Sequence, residues 1–151
     1  MSQGNADEGY YDWHIPFTFP FYGGKKSLLK VSTNGYVSFS GEQPPDSISQ
    51  QVPTAGAPND LIAAYWTDLD ASADGAIVLS ATDSLAVITW EGVAYHVDST
   101  WGNPDQLHCS FQLLLNSSGG ITMQYKELHE EAVRRRGEAS AHPDWVSTVA
   151  S

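Results

Sequence analysis

Three aspartates, Asp68, Asp70 and Asp74, lie close together in one acidic segment. Hard carboxylate oxygens at that density suit Ca²⁺. If the chain is extended, Asp68 and Asp70 point to the same side, and a loop can bring Asp74 round to meet them. The spacing is not that of an EF-hand, because no glycine stands at the sixth position and no glutamate at the twelfth. The plainer reading is a solvated acidic loop in which Asp70 and Asp74 serve turns.

A second candidate group is aromatic. Tyr95 and Trp101, with His96 and Asp98 beside them, could stack on a sugar ring or anchor a protein partner. Alternatively, Trp90 and Trp101 plug the end of a β-fold. Asn116-Ser117-Ser118 matches the N-glycosylation acceptor triplet. The histidines, His14, His96, His108, His129 and His142, form no His-x-x-x-His pair, so zinc has no support in the sequence. No Gly-x-Ser-x-Gly elbow is present, and no acidic partner across a cleft can be named for a glycosidase pair. Hydrolysis is therefore the weakest of the functional readings. Cys109 is the one cysteine, so no disulfide forms within the chain, and its place beside Phe111 predicts a small buried hydrophobe.

The elements that must position these residues repeat with a period of two. Ile15, Phe17, Phe19 and Phe21 alternate with polar or proline positions, as in a half-buried strand. Pro16 and Pro20 confine that strand to an edge or to an extended segment outside a central ladder. Leu28–Thr33 is the next predicted strand. Asn34-Gly35 then predicts a type I′ hairpin, which needs positive φ at both central residues. Tyr36–Ser40 returns, with Val37 and Phe39 inward and Tyr36 and Ser38 outward. Residues 41–60 are a long loop rich in Pro, Ser and Gln. Leu61–Trp66 is continuously apolar, as in a central strand covered on both faces. Residues 67–75 are an acidic loop. Ala76–Ser80 and Leu85–Trp90 predict a second hairpin, and residues 91–105 predict loop. Leu107–Leu115 and Ile121–Tyr125 predict a third hairpin across Asn116–Gly120. About eight strands at this spacing describe an all-β antiparallel sandwich, jelly-roll-like in form. Residues 1–13 read as an N-terminal extension and 14–127 as the domain. Residues 128–151 read as a short irregular or helical appendage, with Glu130 and Glu131 placed to meet Arg134 and Arg135. Trp145–Val149 could return as a strand.

Length and composition agree with that architecture. The 151 residues are 41% hydrophobic and 17% charged, enough apolar surface for one core without disulfides. The net charge is −11, and residues 1–125 hold only Lys25, Lys26 and Lys30 as cations. Such a surface repels phosphate, which argues against nucleic acid and anionic membrane partners. No run of about 18 apolar residues could span a bilayer. Residues 1–12 lack a basic n-region and an apolar h-region, so a signal peptide is not expected within this chain.

Four pieces in order carry a family resemblance. They are Phe17-Thr-Phe-Pro-Phe-Tyr-Gly23, Val31-Ser-Thr-Asn-Gly-Tyr-Val-Ser-Phe39, Pro58-Asn-Asp-Leu-Ile-Ala-Ala-Tyr-Trp66 with Asp68-Leu-Asp70, and Val87-Ile-Thr-Trp-Glu-Gly-Val93 followed by Phe111–Leu115 and Gly120–Glu127. Together they resemble the nidogen-like (NIDO) domain, also found in plexin-domain-containing and other secreted multidomain proteins. The resemblance spans roughly residues 14–127. It implies an extracellular, non-enzymatic module for adhesion or for matrix and surface assembly, but it does not imply a ligand; the expected partners are other extracellular proteins or matrix and surface-assembly components, or glycans through the aromatic group. The Arg134-Arg-Arg136 stretch departs from the family pattern, in which a further strand follows Tyr125-Lys-Glu127.

Overall fold

The computed structural model describes residues 2–4, 6–40, 59–96 and 107–128. Among them are ten strands: β1 (Ser2–Gly4), β2 (Gly9–Phe21), β3 (Gly24–Ser32), β4 (Tyr36–Ser38), β5 (Leu61–Ala63), β6 (Leu69–Asp70), β7 (Ala76–Ala81), β8 (Leu85–Tyr95), β9 (His108–Asn116) and β10 (Ile121–Glu127). The first five form one antiparallel sheet in the order β1-β2-β3-β4-β5. The second sheet runs β10-β9-β8, and β6 and β7 share the far side of β8. β6 pairs with Ala94 and Tyr95, whereas β7 pairs with Ala86–Glu91. They thus act as one edge strand broken by the 71–75 turn.

The all-β antiparallel sandwich is as expected. Its connectivity, however, is two successive meanders rather than the crossing Greek keys of a jelly roll. The expected N-terminal extension is also part of the sheet, since Ser2–Gly4 pairs with Gly9–Tyr11 and β2 begins five residues before residue 14.

Strand alternation places one face of each sheet in a shared core. Ile15, Phe19, Leu29, Val31, Val37 and Ile62 come from the first sheet, and Ile88, Trp90, Val93, Cys109, Phe111, Leu113 and Leu115 from the second. Trp90 is fully buried, stacks on Phe111 at 4.9 Å, and donates its indole N–H across the core to Ser32 O at 3.0 Å. Burying a side chain of this size contributes about 2–3 kcal/mol, and the indole hydrogen bond fixes its orientation.

Trp90 and Val93 both face inward although they stand three positions apart, with two residues between them. Strict alternation would put them on opposite faces. A bulge resolves this: the register shifts between Trp90 and Val93, Gly92 takes φ 59°, and its N–H donates to Ser110 Oγ at 3.0 Å. Beyond the bulge β8 continues to Tyr95, so residues 91–95 are strand rather than loop. Gly75 presses against the same bulge, where a Cβ would overlap the Gly92 and Val93 backbone.

Two turns differ from expectation. Phe21 pairs with Gly24, and the two residues between them, Tyr22 (φ 45°) and Gly23 (φ 75°), supply the positive φ values of a type I′ turn. At Asn34-Gly35 only Gly35 (φ 79°) is positive, and the ladder resumes at Val31–Val37 across a longer connection. Tyr36 is buried to 1%, not outward, and its ring packs on Trp66 at 4.9 Å. That burial pushes its phenol up to about 12, the Ser32 hydroxyl opposing the rise and the Glu8 carboxylate adding to it.

The Leu61–Trp66 run is not a central strand. Only Leu61–Ala63 pairs, at the edge beside β4. Tyr65 and Thr67 instead donate backbone bonds to Gly35 O and Asn34 O. The prolines of β2 sit where the ladder tolerates them. Pro16 falls in the register break between His14 and Phe19, and β1 covers only Gly9–Tyr11.

Candidate functional site

The site is organised by two buried polar residues of the β3–β4 turn. Thr33 donates its hydroxyl to Asp7 O at 2.6 Å, and its backbone N–H bonds Gly9 O at 3.0 Å. The Asn34 side chain donates to Glu8 Oε2 at 3.1 Å and accepts from Leu69 N at 2.8 Å. The chain entering β2 and the chain entering β6 are thereby held against one turn. Ala71 N donates to Ala6 O at 3.1 Å and His96 N to Asp68 O at 3.0 Å, which completes the frame.

This frame gathers Asp7, Glu8, Asp68, Asp70 and His96 at one end of the sandwich. The ligand atoms of Asp7, Glu8 and Asp68 lie within 4.8 Å of one another, and so do those of Asp7, Asp70 and His96. Asp7 is common to both groups. Its carboxyl is raised above the ordinary 3.8, first by burial and then by the Asp70 and Asp68 charges, with His96 opposing at 3.3 Å. Burial also pushes Asp70 upward, but the Ser72 hydroxyl and amide and the Ala73 amide outweigh it and hold Asp70 below 3.8, with His96 assisting.

The predicted Asp68, Asp70 and Asp74 trio is thus divided. Asp68 and Asp70 converge, but on Asp7 rather than on Asp74. Asp74 caps its own turn by accepting Gly75 N–H, and its other oxygen lies 3.1 Å from His108 Nε2. Asp7 and Glu8 were invisible as site residues because they stand some sixty positions from Asp68. The one sequence signal was Thr33-Asn34, which reads as turn chemistry until its side-chain partners are known.

Tyr95 is not available for stacking. It is 3% exposed, and its hydroxyl meets that of Tyr65 at 3.0 Å. It belongs to the core, which corrects the expectation of a ligand platform there. Trp101 lies outside the described residues, as do residues 41–58, the rest of 97–106, and 129–151. Asn116 is exposed on the β9–β10 turn, with its Oδ1 accepting from the Ser118 amide and hydroxyl at 2.9 and 2.8 Å. Cys109 is buried, as expected, and burial pushes its thiol up to about 12 despite the Tyr95 hydroxyl beside it.

The chain is a two-meander β-sandwich whose Thr33-Asn34-Gly35 turn ties both sheets together. The NIDO-related family model matches residues 1–142, and the chain belongs to that family. The match takes in the N-terminal strands that the residues alone did not assign to the domain. No curated protein and no solved structure matches the chain. No helix among the described residues is long and apolar enough to cross a membrane.

Proposed function

We propose that this chain is a non-enzymatic extracellular module that serves adhesion or structural assembly within a larger secreted or cell-surface protein. Membership of the NIDO-related family over residues 1–142 carries the reading. The use of the aromatic residues supports it, since Phe19, Trp90, Tyr95 and Phe111 are all spent on the core. Other extracellular proteins or matrix components are its partners. A glycan partner is less well supported, because Tyr95 is buried. Antibodies to the chain, applied to intact source cells and their culture medium, test the reading. Labelling outside the permeability barrier is expected; labelling only after permeabilisation overturns it.

A second, subordinate reading is that Ca²⁺ binds at the acidic end. Asp7, Glu8 and Asp68 offer oxygens only, the chemistry a hard cation prefers, whereas the group containing His96 does not. A thermal melt at saturating Ca²⁺ tests it: the midpoint rises if the ion binds the folded state. An unchanged midpoint sinks it.

A further inference from the structure

The four sheet margins are not equally protected. A strand edge with free N–H and C=O groups recruits another strand unless it is short, charged, bulged or covered. β1 and β5 are three residues each, and the length of β2 beyond β1 carries Asp12, Pro16 and Pro20. β10 ends in Lys126 and Glu127, and its register shifts between Tyr125 and Glu127. β7 has none of these devices. Its six residues, Ala-Ile-Val-Leu-Ser-Ala, contain no charge, proline or glycine, and its pairing with β8 is unbroken from Ala76 to Ala81. Among the described residues nothing pairs with its outer side. Val78, at its centre, is 47% exposed.

Two of the three strand rows beside this edge are uncharged, and the third carries Glu91 opposite Ala76. Ser80 pairs with Val87, Val87 with Leu114 and Leu114 with Thr122; Val78 pairs with Thr89, Thr89 with Gln112 and Gln112 with Gln124. In a chain of net charge −11, these two rows and the β7 edge form a region where two copies can meet with carboxylates opposed only at its ends.

We propose that β7 is a self-association edge, at which two copies of this chain pair antiparallel and join their second sheets across a two-fold axis. Directly opposed residues must share a face. The register centred on Val78 satisfies this: Val78 meets Val78 of the second copy, and Ile77 meets Leu79 on the core side. The contact is isologous and closes as a dimer. Six strand residues bury less than the roughly 1,200 Å² of a stable standard interface, so the dimer forms at high protein concentration or high local density. Asp74 and Asp83, just outside β7 at its two ends, approach their opposite numbers in this register. Added salt screens that repulsion and strengthens the pairing. The proposal rests on the edge alone and does not depend on the extracellular reading.

Sedimentation velocity of the full chain, up to about 1 mM protein at about 0.05 and 0.5 M NaCl, tests it. A concentration-dependent shift from monomer towards dimer is expected, larger at high salt. Val78→Lys abolishes the shift while leaving the thermal midpoint near wild type. Val78→Cys gives a symmetric disulfide dimer with oxidised glutathione, because opposed antiparallel residues have Cα atoms about 4.5–5.5 Å apart, within disulfide range. Buried Cys109 stays out of that reaction. A wild-type monomer under all conditions overturns the proposal. So does association that survives Val78→Lys, or a dimer in which Val78→Cys fails to cross-link.

Discussion

Asn34 Oδ1 accepts the backbone N–H of Leu69 at 2.8 Å within the core, and this bond ties the β3–β4 turn of one sheet to the first strand of the other. Its Nδ2 holds Glu8 at the same time. Asn34→Ala therefore orphans a buried amide and frees two chain segments. The expected loss is about 2–3 kcal/mol in denaturant unfolding. Asn34→Asp keeps the acceptor, loses the donor and sets a carboxylate beside Glu8, so it is destabilising as well. A near-wild-type midpoint for Asn34→Ala would contradict the role given to this side chain.

Gly75 and Gly92 both have positive φ, yet their surroundings differ. A Cβ at Gly92 meets nothing within 4 Å, whereas one at Gly75 overlaps the Gly92–Val93 backbone. Gly92→Ala should cost about 1–2 kcal/mol for backbone strain alone. Gly75→Ala should cost clearly more, because backbone must move as well. Parallel thermal melts of the two variants check the order.

Tyr22 occupies the first central position of the type I′ turn with φ 45° and is 90% exposed. Asparagine tolerates that conformation better than tyrosine does. Tyr22→Asn should raise stability by about 0.5–1 kcal/mol, less whatever the edge contact of its ring with Phe21 at 4.7 Å supplies. A lower melting midpoint would show that the ring contact outweighs the backbone term.

Asp7 and Asp70 give opposite pH dependences. Asp7 is raised on folding, so its favourable contribution is full below 3.8 and is lost as pH rises through its folded value; above that, the charged form costs stability. Asp70 is lowered, so its contribution is present above 3.8 and is lost as pH falls through its folded value. At neutral pH without divalent cations, Asp7→Asn is expected to raise the melting midpoint and Asp70→Asn to lower it. Melts of both variants at pH 7 check the signs.

Asp7→Asn also separates the Ca²⁺ reading from general acidity. It removes the carboxylate common to both groups at the acidic end. Any Ca²⁺-induced rise in midpoint should vanish in Asp7→Asn and persist in Asp74→Asn, since Asp74 turns to His108. A rise unchanged in Asp7→Asn places the ion elsewhere.

The amino-acid sequence by itself determined the inward faces of β2, β3 and β9. Alternation at Phe17–Phe21, Leu29–Val31 and Cys109–Leu115 is a local property, set by which side chains water rejects. It did not determine where alternation breaks, because Trp90 and Val93 share a face only through a bulge that opposes Glu91-Gly92 to Ser110. Turn identity was equally hidden. Asn34-Gly35 has the better local propensity for a type I′ turn, yet tertiary contacts take Asn34 for Leu69 and Glu8 and leave that geometry to Tyr22-Gly23. The acidic end was half legible. Asp68 and Asp70 stood out by spacing, but Asp7 and Glu8 join them only because Thr33 and Asn34 bring distant segments together. Side-chain period is short-range chemistry that the sequence carries. Which polar groups meet depends on long-range hydrogen bonds made in a dry interior, and these exist only once both sheets have closed on each other.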